Sequence, residues 1–155
     1  YIRIAPKHGV VVLDASSQRV GDLLELVAAS ALFAVGSLRR SPHRREELNA
    51  FARRRTEAYR RLLDDAEATG PAFAEFERAL LLDVVALAGN AEMERLLRTT
   101  LGRLFWSRND RRWYAPYRSA TEAELAAVLD GLTSDDASFR DALFDYLLTL
   151  KRTWS

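Results

Sequence analysis

Helical periodicity runs through all but the first thirteen or so residues of this sequence and predicts an all-α fold. The expected architecture is an antiparallel bundle of about six to seven helices, preceded by a short β-hairpin. Three observations carry it. Apolar residues recur at three- and four-residue steps in segment after segment. Glycine and proline fall only between those segments or close to their ends, as with Ser41-Pro42, Gly70-Pro71 and Gly89-Asn90. The only strand-like alternation lies in Tyr1–Leu13. With 155 residues the chain suits one domain with a real core.

The elements follow in order. Ile2 and Ile4 alternate with Arg3, Pro6-Lys7-His8-Gly9 reads as a basic turn, and Val10–Leu13 reads as the returning strand. Two strands alone are marginal in water, so this hairpin needs a neighbour outside the sequence. Because the chain opens at Tyr1 inside such an element, it reads as part of something longer. Asp14–Gln18 is a polar connector in which Ser16 or Ser17 offers an N-cap. The first helix then extends to about Arg39, with Val20, Leu23, Leu24, Val27, Ala31, Val35 and Leu38 on one side. Ala28, Ala29, Ala31, Ala34 and Gly36 are small enough to let another helix approach closely. Ser41 caps a second helix with Pro42 at its first position, running to about Ala68. Leu48, Phe51, Tyr59, Leu62, Leu63 and Ala66 form its apolar face, and Arg53, Arg54, Glu57, Arg60 and Arg61 a solvated one.

Phe73–Tyr114 is the centre of the chain. Phe73, Phe76, Leu80, Leu81, Val84, Val85 and Leu87 mark a mostly buried helix that Gly89-Asn90 stops. Met93, Leu96, Leu97, Leu101, Leu104 and Phe105 mark a second helix folding back on it. An irregular stretch follows to Ser119, with Pro116 barring helix continuation. Thr121 with Glu124 forms a capping box for a short helix through Leu125, Val128 and Leu132. Ser134 caps the last helix, whose face is Phe139, Leu143, Tyr146, Leu147, Leu150 and Trp154.

Composition narrows the function. A net charge of +1 gives no global basic field for nucleic acid. Zero cysteines exclude a disulfide framework or thiolate site and fit a reducing cytoplasm. No apolar run approaches the roughly 20 residues a bilayer needs, so no membrane partner is expected. The two histidines, His8 and His43, lie at a turn and a helix start, so neither a serine–histidine–aspartate arrangement nor a histidine-rich metal site can be assembled. No phosphate-binding glycine loop occurs. An enzyme is not expected, and no cofactor. Two carboxylates on the most apolar helix, Glu77 and Asp83, need partners, which the many arginines can supply. Rings and guanidiniums gather from Phe105 to Tyr117, suiting either the end of a core or a pocket for an amphipathic anion.

Several stretches resemble a known family. APKHGVVVL resembles the wing that closes the DNA-binding domain of GntR-family transcription regulators. The helical body resembles the effector domain of the FadR subfamily in three places taken in order. These are SLRRSP before a long polar helix, FAEFERALLLDVVALAGN, and WSRNDRRWY with the terminal Tyr146–Trp154 segment. The resemblance implies residues 1–14 as a wing remnant and residues 15–155 as an effector-binding and dimerisation domain of a cytoplasmic homodimer. Operator DNA is then bound through the mostly absent N-terminal domain, with Lys7 and His8 near the DNA. Most family members hold a divalent metal by an aspartate, a histidine four residues later and two further histidines. Here Glu77, Leu81 and about Leu125 and Leu148 stand in those places, so a metal is not expected. That departure points to the fatty-acyl-CoA-responsive branch, with Trp106, Tyr114, Tyr146, Leu147, Leu150 and Trp154 lining the pocket and Arg108 and Arg111 at the anionic head. Leu147 and Leu150 stand where the family pattern has a glycine and a serine, which implies a shorter pocket, a changed entrance or contact with a different lipid tail. A small organic acid, or no ligand at all, is the alternative.

Overall fold

The computed structural model of the protein describes the backbone of residues 9–105 and 110–154, and side chains from residue 17 on. Among the described residues six α-helices make the body: α1 (Gly9–Leu38), α2 (Pro42–Asp64), α3 (Gly70–Leu87), α4 (Ala91–Phe105), α5 (Arg118–Gly131) and α6 (Asp136–Thr153). A 3-10 turn at Arg111–Trp113 lies between α4 and α5. The all-α bundle is therefore as expected. Among the described residues there is no strand.

The expected hairpin is corrected by α1. Val10–Leu13, read as a strand, lies within that helix, and so does the Asp14–Gln18 connector with its Ser16 and Ser17 caps. Tyr1–His8, with Lys7 and His8, lies outside the described residues. An unpaired two-stranded ribbon is marginal, whereas adding turns to an existing helix gains a hydrogen bond for each residue fixed. The membrane expectation also changes. Ser17–Leu38 is a 22-residue stretch with mean hydropathy 1.6, long and apolar enough to span a bilayer by length and composition. Only 39% of its most apolar 18-residue window is buried in the bundle.

The buried side of α1 (Leu24, Val27, Ala28, Ala31, Val35, Leu38) packs on α3, α4 and α6. α2 leans on α3 and α5, and α5 pairs with α6. Local chemistry sets the ends. Ser41 has extended backbone and its hydroxyl accepts from the Arg44 amide at 3.3 Å, with Pro42 next in line. α2 stops at Asp64, short of the expected Ala68, because the Asp65 carboxylate accepts from the Glu67 amide at 2.9 Å. That local turn competes with another helical residue, and Ala66 is exposed. Gly89 takes φ +82° after α3, and the Asn90 side chain then caps α4 by accepting from Met93 N at 2.9 Å.

Two expected caps differ. α5 begins at Arg118, and Thr121 is buried inside it, its hydroxyl donating back to Tyr117 O at 3.0 Å. Glu124 accepts from the Thr149 hydroxyl of α6 and so serves helix packing instead of a capping box. α6 is capped by Asp135, not Ser134: its carboxylate accepts from Ser138 N at 2.7 Å and is held below the usual range by that hydrogen bond. A carboxylate at the positive end of a helix outcompetes a hydroxyl.

The α5–α6 turn is tight. A Cβ on Gly131 would lie 2.9 Å from Phe139 Cα, a backbone atom that cannot step aside. The Gly131 carbonyl and the Asp136 carboxylate both accept from Arg39 at the end of α1. Gly131→Ala is expected to lower stability by about 1–3 kcal/mol through overpacking. A urea titration against the parent chain reads this as a lower midpoint at unchanged slope.

Candidate functional site

Glu77 sits in the middle of α3, on the face that carries Phe73, Leu80, Leu81 and Val84 into the core. An ionised carboxylate there costs several kcal/mol unless its oxygens are satisfied. Four donors satisfy them. Arg112 donates from Nε to Oε2 at 2.9 Å and from Nη2 to Oε1. Trp113 Nε1 donates to Oε1 at 2.9 Å, and the Tyr146 hydroxyl donates to Oε2. Glu77 and Arg112 are each fully shielded from solvent, and so is Trp113.

The 3-10 turn makes this possible. Trp113 N donates to Asp110 O at 2.9 Å and Tyr114 N to Arg111 O at 3.2 Å, winding the turn tightly. Arg112 and Trp113 then point inward while Arg111 and Tyr114 stay exposed. The Trp113 ring stacks on Phe73, with centroids 4.4 Å apart and planes at 20°. The Arg112 guanidinium lies 4.9 Å from the centroid of Trp154, which meets Phe105 edge-on at 5.0 Å. Close beside this, a Cβ on Gly70 at the start of α3 would collide with the Asp110 carboxylate and come 2.6 Å from the Tyr114 hydroxyl. Glycine there lets the turn dock on α3.

Electrostatics lock the charge states. Burial opposes charge on Arg112, but Glu77 beside it outweighs that and holds the guanidinium above its usual range. Burial, and then the Glu77 carboxylate, push the Tyr146 hydroxyl well above 10.0, so it stays a neutral donor. Tyr59 is raised by burial and by Glu122, donating to Glu122 O at 2.9 Å. For both tyrosines the folded value exceeds the unfolded one. Their stabilisation is complete below pH 10 and is lost as pH rises through the folded value. Above pH 10 stability should therefore fall by about 1.4 kcal/mol per pH unit for each tyrosine. Urea midpoints measured from pH 9 to 11.5 check this, and Tyr146→Phe should flatten the decline.

The described residues among those named for the pocket stand in different surroundings. Trp106 and Arg108 lie outside the described residues. Arg111 donates to the Tyr117 hydroxyl at 3.1 Å and covers its ring, both near the surface. Tyr114 is 43% exposed and donates to Asp110 Oδ2 at 3.3 Å. Tyr146 is spent on Glu77, and Leu147 and Leu150 are packed into the core. Trp154 borders a space of about 230 Å³ between α1 and α6, with Val20, Gly21, Glu25 and Lys151. The structure thus joins Tyr146 and Trp154 through Arg112 and Glu77, and sends Arg111 and Tyr114 outward.

The expected partners of the buried acids are in place. Asp83 pairs with Arg55, at a half-exposed edge, and Glu77 pairs with Arg112. The donor set does not fit a metal ion. Both Glu77 oxygens already accept from protein groups, Leu81 and Leu125 are buried hydrocarbons, and Leu148 is 58% exposed and faces away from the core. Among the described residues no group of three or more histidines or carboxylates could hold one. Sequence reasoning missed Arg112 and Trp113 as the centre of this cluster. The available signal was Glu77 itself, an acid on the most apolar helix that demanded an arginine.

Comparison of the chain with protein-family models, curated proteins and solved structures returns no match.

Proposed function

We propose that this chain is the effector-binding and dimerisation domain of a GntR-family transcription regulator of the FadR subfamily. The ordered resemblance of SLRRSP, FAEFERALLLDVVALAGN and WSRNDRRWY, with Tyr146–Trp154, supports the reading, and an all-α bundle is the fold it requires. The observation that carries the metal-free branch is the Glu77 cluster. Where the family's metal-binding members need an open carboxylate and imidazoles, this chain puts its own cation, Arg112, on Glu77 and adds Trp113 and Tyr146.

The effector is then an amphipathic anion of the fatty-acyl-CoA kind, its charged end met by Arg108 and Arg111. Binding would act by population shift. An effector that prefers one placement of the paired DNA-binding domains lowers operator affinity by its differential affinity for the two states. Lys7 and His8 are assigned to the DNA side of the chain. A second reading has its own support: Tyr146, Leu147 and Leu150 are close-packed, which favours a smaller organic acid or a ligand-free dimerisation module.

Thermal unfolding against a ladder of acyl-CoA chain lengths, with divalent metals and EDTA in parallel, tests the choice. A ligand at ~100 times its dissociation constant adds about 2.7 kcal/mol if it binds only the folded state. A shift that grows with chain length and ignores EDTA is the expected result. A shift with metal alone would overturn the metal-free reading, and no shift with any of them would leave the dimerisation module.

A further inference from the structure

We infer that the recess where the α1–α2 turn meets the start of α6 binds the phosphate group of a small anion. The site uses none of the residues assigned to the effector and is independent of that reading.

The recess holds about 390 Å³, within the roughly 300–1,000 Å³ common for small-molecule sites. Gly36, Arg39, Arg40, Arg45 and Ser134 line it, so α1, the turn after it, α2 and the approach to α6 all contribute. Its three guanidiniums differ in what holds them. The Arg39 side chain is 11% exposed and is fixed from several sides. It donates to the Asp136 carboxylate and to Gly131 O, and lies 5.9 Å from the centre of the Phe139 ring. Arg45 donates to the Arg39 carbonyl at 2.6 Å, which anchors one nitrogen of its fork at the end of α1. Neither Arg40 nor Arg45 has a carboxylate partner among the described residues. Elsewhere Arg44, Arg78, Arg95 and Arg98 each meet a carboxylate three or four residues away on their own helix. Here two cations border one recess without an acid of their own.

Charge selects the class of ligand. Three guanidiniums border the recess against two carboxylates, and both carboxylates are engaged. Asp136 accepts from Arg39, and Asp135 from Ser138 N at 2.7 Å. The surplus is positive, and the positive end of the 18-residue α6 adds to it. A carboxylate ligand has two oxygens, which a single guanidinium fork satisfies. A phosphate offers three or more oxygens at tetrahedral angles, which suits donors from Arg40, Arg45 and the Ser134 hydroxyl together. Any group attached to that phosphate has room beside Gly36, where an added Cβ would meet nothing within 4 Å.

Calorimetric titration of the 155-residue chain at constant ionic strength tests the site, with inorganic phosphate, ribose 5-phosphate and chloride as probes. Both phosphates should bind once per chain, and chloride should give no heat. Tighter binding of ribose 5-phosphate would assign the site to an organic phosphate, and equal binding would assign it to free phosphate. Arg40→Gln and Arg45→Gln should each weaken binding about tenfold, and the two together about a hundredfold, with helicity unchanged. Gly36→Leu fills the recess without removing a guanidinium. It should abolish ribose 5-phosphate binding while leaving the helix at least as stable. Replacing the exposed Arg53 and Arg54 by glutamine should change nothing. No heat with phosphate at about 10 mM would overturn the proposal. An equal loss in the Arg53 and Arg54 variant would also overturn it, making binding a property of overall arginine content. So would a short DNA duplex that binds through Arg40 and Arg45 and that phosphate does not displace, which would make the recess a polyelectrolyte contact.

Discussion

Glu77→Gln is expected to cost about 3–5 kcal/mol of folding free energy, a large share of the 5–15 kcal/mol typical of a domain. The substitution keeps the size of the side chain and one acceptor oxygen, so what it removes is charge. Arg112 would then be a fully buried cation facing a neutral amide, with its guanidinium over the Trp154 ring. Arg112→Met should cost a similar amount for the opposite reason, leaving a buried carboxylate with only Trp113 Nε1 and the Tyr146 hydroxyl. Combining Arg112→Met with Glu77→Leu should cost much less than the sum, since both charges leave together. Urea unfolding of the four proteins closes the cycle. A Glu77→Gln loss under about 1 kcal/mol would mean that the pair is not desolvated as drawn.

What the sequence made legible was local. Ser41-Pro42 and Gly89-Asn90 mark helix ends through interactions spanning three or four residues, and those ends fall where the residues imply. The strand reading of Val10–Leu13 failed because a short β-branched run is undecided by itself, and the helix that absorbs it was not readable from five residues. The stop of α2 was missed because Asp65 reads equally well as a helix surface residue until its turn to Glu67 is seen. The Glu77 cluster was illegible for a different reason. Arg108, Arg111 and Arg112 are the same residue type within five positions, and only the winding of the 3-10 turn decides which one is carried 35 residues back in sequence to Glu77. Tyr146, Leu147 and Leu150, placed in a pocket by the family resemblance, also form the apolar face of α6 and are buried in the core.

Trp113→Ala is expected to be as costly as loss of the ion pair, about 3–5 kcal/mol, because it empties a site with no solvent exposure at all. It also does something a core leucine would not. The turn at Arg111–Trp113 is wound by short-range backbone bonds, and its inward side chains, Arg112 and Trp113, tie it to α3. Removing the indole takes away the stack on Phe73 and one donor to Glu77 together. Trp113→Phe separates the two, since a phenyl ring keeps most of the stack and loses only the hydrogen bond, at about 1–3 kcal/mol. If the turn is docked by these two side chains as a unit, Arg112→Met in the Trp113→Ala background should add less than half of its own cost. Full additivity in urea would mean that Arg112 reaches Glu77 without help from its neighbour. The clamp would then be an ion pair set into an independently formed turn, and not the contact that positions it.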